Sequence, residues 1–136
     1  VDSGPLIAAA ITDDRDHRRC VDLFATLHLN SERLLVPQTV VAEVAYSIQK
    51  LGGTDQELMF LQSIADEDLV LVDLIAEDIP RAIELVNTYR DFPLGTTDAS
   101  VIALAERLAI TEIATLDQRH FPNVRPRHTD YLTLLP

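Results

Sequence analysis

At 136 residues, 47% of them hydrophobic, with a mean hydropathy of +0.09 and no apolar run of membrane-spanning length, the chain reads as one folded domain over residues 1–136, neither disordered nor membrane-embedded. Its 22 acidic and 11 basic residues leave a net charge of −11, which excludes the broad basic face of a non-specific nucleic-acid binder. Acidity on this scale suits solubility, a basic partner, or carboxylates gathered to hold cations.

The opening VDSGPLIAAA places Asp2 ahead of a Ser-Gly-Pro entry into helix, with Pro5 in the first turn and apolar residues over 6–11. A second helix is expected over 14–29, with Cys20, Val21, Phe24 and Leu27 on the inner face and Arg15, Arg18, Arg19 and Asp22 away from it. Cys20 is the single cysteine, so no internal disulfide forms. It reads as core packing, and with no secretory leader visible the expected location is cytoplasmic. Leu34-Leu35-Val36, stopped by Pro37, predicts a short buried strand. Val40, Val41, Val44, Ile48 and Leu51 then recur at helical spacing up to Gly52-Gly53, and another helix covers 55–65.

The Val- and Leu-rich stretch 69–74 predicts a second strand, followed by an amphipathic helix over 77–89. After Leu94-Gly95, a cap at Thr96 or Thr97 opens a strongly helical run through 109. Residues 112–116 and a segment within 124–134 supply the last strand candidates. Helices alternating with short apolar strands indicate an α/β fold whose sheet is mainly parallel and covered on both faces.

Such sheets bind ligands at the carboxyl ends of their strands. Asp2 and Asp117 both fall where a strand gives way to the next segment, and Asp98 lies in the first turn of a helix. Asp98 is the most informative, because it sits on the apolar stripe of Val101, Ile102, Ala105, Leu108 and Ala109, where a carboxylate is costly unless paired or metal-bound. Glu43 flanks the stripe of Val40, Val44 and Ile48. Singly, each has an ordinary explanation: a chain end, a helix-dipole acid, a solvated boundary residue, a turn aspartate. Together they form an oxygen-only set without zinc-like histidine or cysteine spacing, which suits a hard cation such as Mg²⁺ or Mn²⁺.

Asp2-Ser3 before an apolar helix, Glu43 within VVAEVAYSI, Asp98 within GTTDASVIALAERL and TLDQRHF around Asp117 resemble, in order and spacing, the PIN domain family, and within it the VapC-type toxins of bacterial toxin–antitoxin pairs. The resemblance implies an α/β/α sandwich around a central, mainly parallel sheet. It also implies a metal-dependent endoribonuclease in which Asp2, Glu43, Asp98 and Asp117 are the catalytic, metal-holding acids. Ser3 and Thr115 match positions of small hydroxyl residues that steady those acids. The implied cofactor is Mg²⁺ or Mn²⁺; the implied partners are RNA, a cognate antitoxin and a second copy in a homodimer, with no membrane. The family has several residues of opening strand where this sequence has only Val1 before Asp2.

Arg119 reads first as a solvated loop charge and second as a guide for RNA, while His120, a lone histidine before Phe121, reads as structural ahead of a substrate contact. Two enzyme or signalling rivals share the fold class. A receiver-like signalling domain wants a late lysine, yet the only lysine is Lys50. A haloacid-dehalogenase-like phosphatase wants an aspartate two residues after Asp2, where Gly4 stands. A non-catalytic interaction module on the same fold is the third alternative.

Overall fold

The computed structural model describes residues Val1–Pro136. Helix α1 (Ser3–Ala10) begins at Asp2, whose extended backbone and side-chain oxygen cap the Ser3 amide, and Pro5 in its first turn forfeits only a hydrogen bond that the turn lacks anyway. Helix α2 (His17–Leu29) follows, then strand β1 (Leu35–Pro37), α3 (Gln38–Gly52) and α4 (Thr54–Ala65). Gly53 separates α3 from α4 at φ +83°, a left-handed geometry that favours glycine. The second half runs β2 (Val70–Val72), a 3-10 turn (Ala76–Asp78), α5 (Ile79–Thr88), α6 (Thr96–Arg107), β3 (Glu112–Ala114), a second 3-10 turn (Phe121–Asn123) and β4 (Thr133–Leu135).

The strands pair in parallel, β1 with β2 and β3 with β4, as two two-stranded sheets. Residues 1 and 2 stand between them. The Val1 nitrogen donates to the Leu35 carbonyl at 2.7 Å, and the Asp2 amide donates to the Ala114 carbonyl at 2.9 Å. The strand direction is as expected, but the ladder is interrupted where a continuous central sheet was anticipated. The carboxyl ends of β1 and β3 thus flank Asp2 from both sides.

One apolar cluster runs through the molecule, with Val36, Val40, Val44, Ile48, Ile102 and Phe121 at its centre. Helix α6 is its most enclosed element, buried at every residue from Ala99 to Ala105. Thr39 on α3 meets Ser100 on α6 at 2.5 Å, satisfying two hydroxyls inside the packing. Four stripe residues fall outside the expected buried faces: Val21 is 40% exposed, Leu51 64% and Leu108 38%, and Ala109 is exposed as well. Leu51 and Leu108 lie at the last turn or just beyond their helices, where the stripe has rotated past its neighbours. Cys20 is fully buried, as its stripe predicts.

Candidate metal and nuclease site

The four acids arrive from four separate elements. Asp2 caps α1, Glu43 lies in the second turn of α3, Asp98 in the first turn of α6, and Asp117 three residues beyond β3. The start of α1 and the segment after β3 pack closely: a Cβ at Gly4 would meet the Leu116 Cβ at 3.4 Å, ordinary van der Waals contact.

Small hydroxyl side chains connect the acids. The Ser3 hydroxyl donates to Glu43 Oε1 at 2.7 Å, while the Ser3 amide donates to Asp2 Oδ1, also at 2.7 Å. The Thr115 hydroxyl donates to Asp2 Oδ2 at 2.8 Å and accepts the Asp117 amide at 3.0 Å. A continuous line therefore runs Glu43–Ser3–Asp2–Thr115–Asp117. Asp2 and Thr115 are buried, Asp98 and Asp117 half-buried, and Glu43 exposed. Asp98 closes the arrangement from the other side: ligand atoms of Asp98, Asp117 and His120 all lie within 4.8 Å of one another.

The electrostatics follow from this crowding. Burial pushes the Asp98 carboxyl up to about 6, and the charges of Asp2 and Asp117 add to the rise. Burial raises Asp2 as well, against the hydrogen bonds of Thr115 and Ser3. Asp117 moves the other way. Burial favours its neutral form, but bonds from the backbone and ring of His120 and the backbone of Arg119 outweigh it, leaving the carboxyl below its usual range. Neighbouring carboxyls with opposed shifts mark a site short of positive charge.

Each sequence-predicted residue takes a definite place. Asp98 and Asp117 face each other directly. Asp2 is linked to Asp117 through the Thr115 hydroxyl, and Glu43 is hydrogen-bonded to Ser3, next to Asp2. His120, read from sequence as structural, belongs to the cluster. Its signal was the i, i+3 spacing from Asp117, which brings the ring Nδ1 to 2.5 Å from Asp117 Oδ2. Phe92, in the loop between α5 and α6, was not singled out, and nothing in its local sequence marks it. Its ring lies 4.8 Å from that of His120, with the Arg119 guanidinium 5.0 Å above it.

A carboxylate-rich donor set, with the His120 ring nitrogen as the one non-oxygen ligand atom within reach and excess negative charge at Asp98, fits a divalent cation. The molecule has no helix long and apolar enough to cross a membrane.

Comparison with known proteins places the sequence and the fold. The sequence model of the PIN domain matches residues 1–125. Ribonuclease VapC26 of Mycobacterium tuberculosis (strain ATCC 25618 / H37Rv) is 32% identical over 139 aligned residues, spanning 100% of this chain and 98% of that protein. The crystal structure of Mycobacterium tuberculosis VapC20, described as a Sarcin-Ricin loop cleaving toxin, superposes with a TM-score of 0.71 at 13% identity, over 82% of this chain and 83% of that one. That structural likeness supports the α/β/α architecture. With the family match covering nearly the whole sequence and a full-length relative at this identity, the chain belongs to the PIN domain family.

Proposed function

We propose that residues 1–136 form one nuclease domain, a divalent-cation-dependent endoribonuclease acting as the toxin of a toxin–antitoxin pair in the cytoplasm. The observation that carries this reading is the hydrogen-bonded line of Glu43, Ser3, Asp2, Thr115 and Asp117, closed by Asp98 opposite Asp117. The full-length relative named as a ribonuclease supports the same activity.

Asp2, Glu43, Asp98 and Asp117 would hold Mg²⁺ or Mn²⁺. Such a cation, when bound, supplies Lewis acidity: it lowers the pKa of a water and offsets charge developing on the phosphodiester. The chain's own residues do the positioning. Thr115 and Ser3 orient both Asp2 oxygens, and Ser3 steadies Glu43 at the open edge. Asp117 or Glu43 takes the proton of the attacking water, since each reaches solvent while Asp2 does not. Arg119 makes no ion pair and lies over Phe92 beside the acids, a placement suited to a phosphate of the RNA.

The partners follow from surface as well as likeness. A groove of 680 Å³ lined by Leu6, Phe24, Met59 and Phe60 leaves apolar surface open to an antitoxin segment. On α5 and the turn before it, Ile75, Ile79, Ile83 and Val86 form an exposed stripe that suits a second copy.

The test incubates wild type and Asp98→Asn with a pool of tRNA and ribosomal RNA in Mg²⁺ or Mn²⁺, with a chelator control. The expected result is cation-dependent cleavage by wild type, reduced by about 100-fold or more in the variant. Equal cleavage by both proteins, or undiminished cleavage in chelator, would defeat the proposal.

A further inference from the structure

Asp117 is restrained at both of its oxygens. Its Oδ1 accepts the backbone amides of Arg119 at 2.7 Å and His120 at 2.9 Å. These two bonds make an ordinary aspartate turn and would suffice for one. The third bond is additional: His120 Nδ1 donates to Oδ2 at 2.5 Å, on a carboxylate that also has an oxygen within 4.8 Å of a ligand atom of Asp98.

The imidazole is itself held in place. Its side chain is 17% exposed, and the Phe92 ring packs against it at a 57° tilt. Phe92 comes from the loop that leads into α6, the helix bearing Asp98. A single aromatic contact thus ties the loop leading into the helix that bears Asp98 to the loop that bears Asp117. With Oδ1 saturated by backbone, the ring bond sets the rotation of the Asp117 carboxylate about its last single bond.

We infer that His120 is a positioning residue, its Nδ1–H fixing the Asp117 carboxylate for the divalent cation while Phe92 fixes the imidazole. This rests on the cation-holding role proposed above. A histidine ring that orients an acid ligand acts as outer partners of metal sites do, and removal of such partners typically weakens metal affinity about 10–100-fold.

The experiment measures Mn²⁺ binding to the full chain by electron paramagnetic resonance of the free ion, with no RNA present. His120→Ala should weaken binding about 10–100-fold. His120→Asn, whose amide nitrogen stands near the position of Nδ1, should restore most of it, whereas His120→Gln, with its amide one bond further out, should not. Phe92→Ala should weaken binding by several-fold, on the order of 3–10. Circular dichroism and thermal melts check folding; should His120→Ala not fold, the Asn and Gln variants carry the same comparison.

Wild-type affinity in both His120→Ala and His120→Gln overturns the inference. Equal loss in Ala, Asn and Gln also overturns it, because the imidazole would then be a direct ligand. The Asp98→Asn control separates the two levels. If wild type binds Mn²⁺ and Asp98→Asn does not, an unaffected His120→Ala sinks the positioning role alone; if wild type binds no Mn²⁺, the cation-holding site falls and the positioning role with it.

Discussion

Asp98 and Thr115 show how single residues set the balance between stability and chemistry. The folded-state pKa of Asp98, about 6, lies above that of an unfolded aspartate near 3.9. Between those values the folded chain keeps a proton that the unfolded chain has released. The associated stability is therefore full below the unfolded value, falls as pH rises through 6, and is absent above it. Asp98→Asn should then stabilise the apo protein at about pH 7.5 by roughly 1–2 kcal/mol after allowance for partial exposure, with the gain vanishing below about pH 4. Urea unfolding at the two pH values checks this, and a pH-independent gain would refute the electrostatic origin. Thr115 presents the opposite balance, since its buried hydroxyl serves both Asp2 Oδ2 and the Asp117 amide. Thr115→Val should cost about 2–4 kcal/mol by stranding both partners, whereas Thr115→Ser should cost less than about 1 kcal/mol. Equal urea midpoints for the two variants would show that the hydroxyl contributes no more than the methyl group at that position.

At the scale of elements, the site depends on how α6 is held. Its N-terminus carries Asp98, and its C-terminal half is pinned to α5 by Arg81, which forms a bidentate pair with Glu106 at 2.8 Å for both bonds. The two side chains are 13% and 10% exposed. Glu106 Oε1 also accepts the Arg127 amide at 3.0 Å, so one carboxylate joins α5, α6 and the loop before β4. Glu106→Ala should destabilise by about 3–5 kcal/mol because it leaves a largely buried guanidinium partly unpaired. The retained Arg81–Glu84 contact favours the lower end of that range. Below its melting temperature, the variant should retain Mn²⁺ affinity, since the pair lies at the far end of α6 from Asp98; joint loss of both properties in isothermal titration would contradict this separation. The helices were legible from periodicity: Val40, Val44 and Ile48 are fully buried, and Gly53 ends α3 as its backbone requires. The strands were legible in place but not in pairing, because three-residue strands record burial without recording a neighbour. Asp98 was legible because an acid on an apolar stripe conflicts with its surroundings. Ser3 and Thr115 were reached through family likeness, since a hydroxyl residue carries no local conflict. His120 and Phe92 were missed for a further reason: their roles arise from a contact between loops about 30 positions apart in the sequence, which local patterning does not encode.

For the molecule as a whole, the net charge of −11 is spread over the surface but gains its functional weight where four distant stretches of chain meet. General screening and specific cation binding both stabilise such a protein, and they can be told apart. Monovalent salt relieves repulsion between exposed acids over a Debye length of about 10 Å at 0.1 M, acting on every acidic face alike. A divalent cation held by Asp2, Glu43, Asp98 and Asp117 acts by mass action on the folded state alone, contributing about 2.7 kcal/mol at a hundredfold excess over its dissociation constant. For a chain of this length that corresponds to a rise in Tm of roughly 8–12 °C. Mn²⁺ should therefore raise the Tm of wild type well beyond NaCl of equal ionic strength. The excess should shrink to nearly nothing in Asp98→Asn and Asp117→Asn, because each removes a charge that the cation neutralises. In Glu77→Gln, an exposed acid outside the cluster, the full excess should persist. Differential scanning calorimetry of the four proteins, each in Mn²⁺ and in NaCl, reads the excess directly. Equal rises in Mn²⁺ and NaCl, or an excess undiminished by loss of Asp98, would mean that the chain responds to cations only as a diffuse polyanion.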